Sequence, residues 1–339
     1  MSDGPYYREL PDGTIKQVNP FTGTKVWTVP GRGARPLSKP ATQTRELTGH
    51  DRQAACAFCS DNLLSTPPEK TRLVKREGGL VRGHDLMRRV PADQLDDTVP
   101  EFRRIPNLFE ILSWQYWQLN WGMDLPRASR DWQEEYLSNP RGEAHVRSVL
   151  NAKFKAMGSD QRGEDLGPKE LREASAAFFA GGHDVIVARR HYTDEGTTTA
   201  DVAGSASLTV DEHRAFMALT VDSMVQLHRH NEHVRYVVAF QNWLKPAGAS
   251  FDHLHKQLVA IDEHGEQLEQ EIRRLRRELA EARRANEMAD SSGQCNESCE
   301  MRQSLITGGS GCRASTVISA GSRSSSRSGC TGRTGGWSI

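Results

Sequence analysis

The sequence predicts an α+β fold, and three observations carry that reading. Residues 234–240 (VRYVVAF) and the apolar run 258–261 are short stretches rich in β-branched residues, separated by a Gly/Ala/Ser segment, as two strands joined by a loop would be. Thr209-x-x-Glu212 forms a capping box that opens a helix to about His230, along which Phe216, Leu219, Met224 and Leu227 give an apolar face. A strongly charged segment, 263–290, places Leu268, Ile272, Leu275 and Leu279 at alternating spacings of four and three. Two heptads are too few for a coiled coil, so this helix is expected to lie against the body.

In chain order, Asn19-Pro20-Phe21-Thr22-Gly23 and Val26-Trp27 precede the basic segment 31–36, whose Arg32 and Arg35 carry planar guanidinium forks of the kind that suit phosphate oxygens. Residues 110–180 hold Trp114, Trp117 and Trp121 in a polar segment expected to be helical, and tryptophans so spaced point to core packing. Residues 183–187 (HDVIV) are followed by His191, four residues on. His213, His228, His230 and His233 lie on or near the capped helix and read as solvated. Beyond residue 290 the composition turns to Ser, Gly, Arg, Thr and Cys, which buries too little apolar surface to fold alone. Residues 291–339 therefore read as a disordered tail, or as a reading frame translated out of register.

Composition narrows the function classes. A length of 339 residues suffices for one large or two ordinary domains. The 44 basic and 44 acidic residues balance, so no net field favours nucleic acid or an anionic membrane. No run of about eighteen apolar residues appears, and the polar start lacks a signal peptide's apolar centre. The expected location is cytoplasmic, a reducing setting that also suits thiolates as metal ligands.

The densest chemistry is His253-Leu254-His255-Lys256-Gln257. On an extended strand the period of two sends His253, His255 and Gln257 to one face, where they can converge on a phosphoryl group. One imidazole can attack phosphorus or fix a metal, while an uncharged amide donates to a non-bridging oxygen. A bare HxH is equally at home as two half-exposed strand histidines. The loop before it, Lys245-Pro246-Ala247-Gly248-Ala249-Ser250, can present the Gly248 backbone and the Ser250 hydroxyl beside the imidazoles, with Asn242 at the end of the preceding strand. Cys56-Ala57-Phe58-Cys59 is the other signature, and by itself it fits a zinc knuckle, a redox pair or a free thiol pair.

The interval of eleven residues from Asn242 to His253, the small-residue loop ending in Ser250 and the His-x-His-x-Gln run together resemble the galactose-1-phosphate uridylyltransferase family, a branch of the histidine-triad superfamily. Residues 19–36, Ile105-Pro106-Asn107-Leu108-Phe109 and 183–191 are similar to that family's other blocks, in the same order. The resemblance covers about 250 residues and implies an antiparallel histidine-triad-like sheet flanked by helices, formed by residues 1–262 with the helical insertion at 110–180. It implies ping-pong transfer in galactose and carbohydrate metabolism, with a nucleotide sugar as donor and a hexose 1-phosphate as acceptor. His255 would carry the nucleotidyl group. Gln257, where hydrolases of the superfamily have a third histidine, would favour transfer, and Ser250 would hold phosphate. Arg32, Arg35, Asn107, Asn242 and Gly248 would border the nucleotide and its phosphates. Many relatives bind a structural zinc, which maps onto Cys56, Cys59, His191 and His253. The family is a tandem of two half-domains and dimerises. Only the first half is visible here, which leaves room for a homodimer and also for an inactive, truncated, zinc-stabilised nucleotide-binding protein. Leu254, Lys256 and Ala249 depart from the family pattern. The added charge of Lys256 suits a di- or polyphosphate, so a nucleotide-sugar or dinucleotide phosphorylase is the nearest enzymatic alternative.

Overall fold

The computed structural model describes residues 4, 6–30, 44–76, 83–242, 244 and 249–306, the last with side chains to residue 288. Arg32, Arg35 and Gly248 lie outside the described residues. The chain divides into two compact units, Met1–Ile272 and Arg273–Ile339. The first is α+β, with antiparallel sheets and flanking helices, as the periodicities predict. Among the described residues no helix is long and apolar enough to cross a membrane.

The first unit opens with a meander of β1 (Tyr7–Glu9), β2 (Ile15–Val18) and β3 (Lys25–Thr28). The main sheet comprises β4 (Thr71–Lys75), β5 (His84–Arg88), β6 (Pro100–Pro106), β7 (His183–Ala188), β8 (Tyr236–Phe240) and β9 (His255–Ile261), all antiparallel in the order β5-β4-β6-β7-β9-β8. Strand β7 is central and buried along its whole length, because both faces of the sheet are covered. Its apolar run Val185–Ala188 therefore continues without the alternation of a half-exposed strand.

Burial on both faces forces the polar start of β7 to be paired. Asp184, with no exposed surface, accepts from Lys70 Nζ at 2.7 Å and from Arg104 Nε at 2.7 Å. The meander is tied in similarly, with Lys16 Nζ 2.8 Å from Asp262, whose carboxylate also accepts from Tyr116 Oη at 2.6 Å.

Helix α1 (Gly49–Ala54) precedes the Cys-x-x-Cys turn and is closed by a capping box between Thr48 and Asp51. Between β6 and β7 lie α2 (Trp114–Trp121), α3 (Arg127–Ser138), α4 (Pro140–Ala156) and α5 (Pro168–Ala180). Trp132, Tyr136, Val149, Leu150 and Phe179 give α3 to α5 a core of their own. Trp114 and Trp117 are buried, as their spacing predicts, whereas Trp121 is partly exposed and stacks on His233 at 4.7 Å.

Helix α6 (Val210–His230) starts at the predicted capping box, with Glu212 N–H donating to Thr209 Oγ1 at 3.3 Å and Thr209 N–H to Glu212 Oε2 at 2.6 Å. It buries Phe216, Leu219 and Leu227 on one face of the main sheet, and Phe216 stacks on Phe102 with ring centroids 4.7 Å apart. Truncating Phe216 to Ala would cost about 3–5 kcal/mol.

Helix α7 runs Glu266–Ile306, starting later and ending later than the predicted 263–290. In the second unit Leu275 and Leu279 are exposed. An Arg274–Glu278 pair at 3.3 Å supports the helix locally. It continues through 291–306, where composition predicts a structureless chain, and residues 307–339 lie outside those described.

Candidate metal centre and histidine pocket

Register fixes which side chains share a face. His255 pairs with Val187, Gln257 with Val185 and Val259 with His183, so these six occupy one face of the sheet. Lys256 and Leu258 point to the other face, towards α6. The Lys256 ammonium lies 4.0 Å from the centroid of the Phe216 ring and 3.1 Å from Met217 Sδ. This corrects the expected role of Lys256, because strand alternation puts its charge behind the sheet, away from His255.

The face bearing His255 carries two adjoining features. The first is a cluster of four donors drawn from distant segments. The Cys-x-x-Cys turn closes with Cys59 N–H donating to the Cys56 carbonyl at 3.1 Å, while Asn62 Nδ2 donates to the same carbonyl at 2.9 Å. This brings the two sulfurs to 3.7 Å. His191, just past β7, has Nδ1 3.4 Å from Cys59 Sγ. His253, just before β9, has Nδ1 3.6 Å from Cys56 Sγ and 3.8 Å from Cys59 Sγ.

Tetrahedral zinc, with Zn–S about 2.3 Å and Zn–N about 2.0–2.1 Å, requires donors roughly 3.3–3.8 Å apart. These four separations fall in that range and all the donor atoms lie within 4.8 Å of one another, so the four residues lie close enough to hold a metal ion, and the donor set is consistent with zinc. His253 Nε2 donates to the Ala188 carbonyl at 2.6 Å, which leaves Nδ1 as the ligand atom and fixes the ring. The thiols are electrically unequal: Cys59 is held low by Cys56 and then by the two imidazoles, while Cys59 and burial push Cys56 up.

The second feature is a cavity of about 240 Å³ lined by His255, Gln257 and Ser250. Its walls are apolar, from Phe58, Phe251, Pro106 and Phe109, and from Ala152 and Ala156 of α4. This volume suits a base or a ribose better than a whole nucleotide sugar. Phe58 stands between the two features, 6.1 Å from the His253 ring and 5.4 Å from the His255 ring.

His255 Nδ1 donates to the His253 carbonyl at 2.7 Å, which leaves the ring's lone pair on Nε2. Burial lowers its basicity and keeps the ring neutral. Gln257 is oriented by His183. The Ile111 N–H donates to His183 Nδ1 at 3.0 Å, so the ring proton sits on Nε2 and is given to Gln257 Oε1 at 3.0 Å. The Gln257 amide N–H groups are thereby left as donors for a ligand.

Asn107 lines the cavity, its Oδ1 accepting from Phe109 N–H at 2.9 Å and its amide nitrogen 3.1 Å from the His183 ring. Asn242 is half-buried and does not line the cavity among the described residues. Nothing near His183 in the sequence signals its role, which depends on the backbone of Ile111 beyond the end of β6. The closure by α4 was equally hidden, since Ala152 and Ala156 matter only by being small where the helix crosses the pocket.

Helix α4 also braces the cavity wall through His145. Its Nε2 donates to the Thr66 carbonyl at 2.8 Å and its Nδ1 accepts from Tyr136 Oη at 2.8 Å, so the neutral ring is fully satisfied. Burial pushes its pKa down to about 4 from 6.5. The unfolded chain therefore binds a proton more readily than the folded one between those values. The stability contributed by neutral His145 is complete above pH 6.5 and is lost as pH falls towards 4, by up to about 3 kcal/mol. Melting curves from pH 7.5 to 4.5 should fall less steeply for His145→Gln than for the wild type, and parallel curves would remove His145 as an acid-sensitive brace.

A family model described as "Domain of unknown function (DUF4921)" matches residues 10–290, and the chain belongs to that family. No curated protein and no solved structure matches the chain.

Proposed function

We propose that this DUF4921 member is a nucleotidyltransferase of the histidine-triad kind, working by ping-pong through a covalent nucleotidyl-histidine on His255. The observation that carries the reading is the pinning of His255 Nδ1 to the His253 carbonyl beside Gln257, whose amide is turned by His183 to donate into the same cavity. A neutral imidazole with one nitrogen tied back is a prepared nucleophile, and a fixed amide beside it stabilises charge without acting as a base.

In the first half-reaction His255 Nε2 forms a bond to the α-phosphorus of a nucleoside diphosphate sugar. The bond to the bridging oxygen breaks, and the sugar 1-phosphate leaves with the electron pair. In the second, a phosphate oxygen of a hexose 1-phosphate attacks the same phosphorus and the N–P electron pair returns to His255. Gln257 and Ser250 stabilise the non-bridging oxygens in both steps. The base would lie between Phe58, Phe109 and the small α4 residues Ala152 and Ala156.

Cys56, Cys59, His191 and His253 would hold a structural zinc. A closed Cys₂His₂ site supplies a cross-link and no open coordination position. Its part in this reading is to hold His253, and hence the carbonyl that orients His255. The antiparallel sheet with α6 across its back supports a histidine-triad-like arrangement, and the displacement of Lys256 from the pocket favours transfer over the phosphorylase alternative.

Incubation with UDP-glucose labelled at the α-phosphorus tests the proposal. The expected result is acid-labile label on the protein with release of glucose 1-phosphate, discharged by galactose 1-phosphate. Absence of label from UDP-, ADP- and GDP-sugars alike would leave a nucleotide-binding protein without transfer chemistry.

A further inference from the structure

On the opposite face of the sheet from His255, where α6 packs, lies a separate cavity of about 570 Å³. Its lining gathers Lys70, Arg88, Arg89, Arg104 and Arg229, with Trp132 of α3 on one wall. These five cations face only two carboxylates. Asp184 is shared by Lys70 and Arg104, and Asp222 pairs with Arg88 at 2.8 Å. Glu110, behind Lys70, is pushed up to about 7 by burial and supplies only part of a charge at neutral pH. His230 at the rim donates Nδ1–H to the Gln226 carbonyl, and burial lowers its pKa, so it neither adds a full charge nor offers a carboxylate.

Arg89 and Arg229 have no carboxylate partner among the described residues. Arg229 is in the last turn of α6, where a cation also suits the helix dipole. Arg89 has no such reason. It adopts φ of 55°, one of two non-glycine residues with positive φ among those described, and its guanidinium stands 5.5 Å from the centroid of the Trp132 ring. A position of that conformation favours glycine unless the side chain is needed. The floor is close to balanced, because Arg104, 2% exposed, shares Asp184 with Lys70, whose pKa burial pushes down, and the surplus positive charge lies with the exposed Arg89 and Arg229 above it.

We infer that this cavity is a binding site for a small phosphorylated anion, distinct from the histidine pocket, with Arg88, Arg89 and Arg229 gripping the phosphate oxygens above the Lys70–Asp184–Arg104 floor. Guanidinium forks arriving from β5, the turn after it and α6 match the several equatorial oxygens of a phosphate or pyrophosphate group, whereas one carboxylate could engage a single fork. The volume leaves room for an organic group of nucleotide size beside the phosphate.

Calorimetric titration of the full chain with inorganic pyrophosphate, in phosphate-free buffer, tests this. One equivalent is expected to bind, and Arg89→Gly and Arg229→Gln should each weaken it by about tenfold or more. Arg89→Gly relieves the positive φ, so its melting temperature should hold or rise and lost binding cannot be ascribed to misfolding. His255→Asn should leave this binding intact. Absence of saturable binding to the wild type, equal binding by both arginine variants, or loss of binding in His255→Asn would each overturn the inference. The last outcome would transfer the anion to the histidine pocket and leave the proposal for that pocket standing.

Discussion

His255→Ala is expected to abolish acid-labile labelling by an α-phosphorus-labelled nucleotide sugar, with a fall of about 10³-fold or more in transfer, since removal of a nucleophile leaves only binding and charge stabilisation. His253 points to the thiols and His183 has its ring proton committed to Gln257, so neither has a lone pair placed to substitute. The lost hydrogen bond to the His253 carbonyl would cost about 1 kcal/mol, too little to unfold the domain. His255→Asn serves as the control for packing, because its amide can still donate to that carbonyl while offering no nucleophile. His255→Gly leaves a gap that free imidazole could occupy, and recovery of transfer with added imidazole would place the chemistry on the ring itself. Wild-type labelling in His255→Ala would remove His255 from the reaction.

What the sequence made legible follows from how local each cause is. The common face of His255 and Gln257 was readable because strand period is set by the backbone alone. The same rule sends the charge of Lys256 behind the sheet, away from the pocket. The capping box of α6 was readable because Thr209 and Glu212 satisfy each other within one turn. The role of His183 was not, since its tautomer is set by a backbone N–H 72 residues away. The part played by α4 depends on where a helix crosses a pocket, which no periodicity encodes. The extension of α7 through residues 291–306 runs against the helix propensities of its serines and Gly293, and nothing local accounts for it.

The four donors of the metal cluster were legible only through a resemblance, because Cys59 and His253 are 194 residues apart, and that separation gives the second large prediction. A metal ion shared by Cys56, Cys59, His191 and His253 would tie the turn after α1 to the ends of β7 and β9, so its binding free energy is folding free energy. Structural zinc sites are worth about 10–16 kcal/mol in small peptides. Even about 5 kcal/mol here would lower the melting temperature by roughly 10 °C or more, at about 2–4 °C per kcal/mol for a domain of this size. Chelation, or Cys59→Ser at a ligand only 1% exposed, should therefore release about one zinc per chain and produce that drop. Because the His253 carbonyl holds His255 in orientation, nucleotidyl labelling should fall with the metal, and restored zinc should recover both. Asp61→Asn, adjacent to the turn but outside the donor set, should do neither. A protein isolated without metal that melts as the zinc-loaded form does would reduce the cluster to packed thiols and imidazoles, and His255 would then have to be held by the Nε2–Ala188 bond of His253 alone.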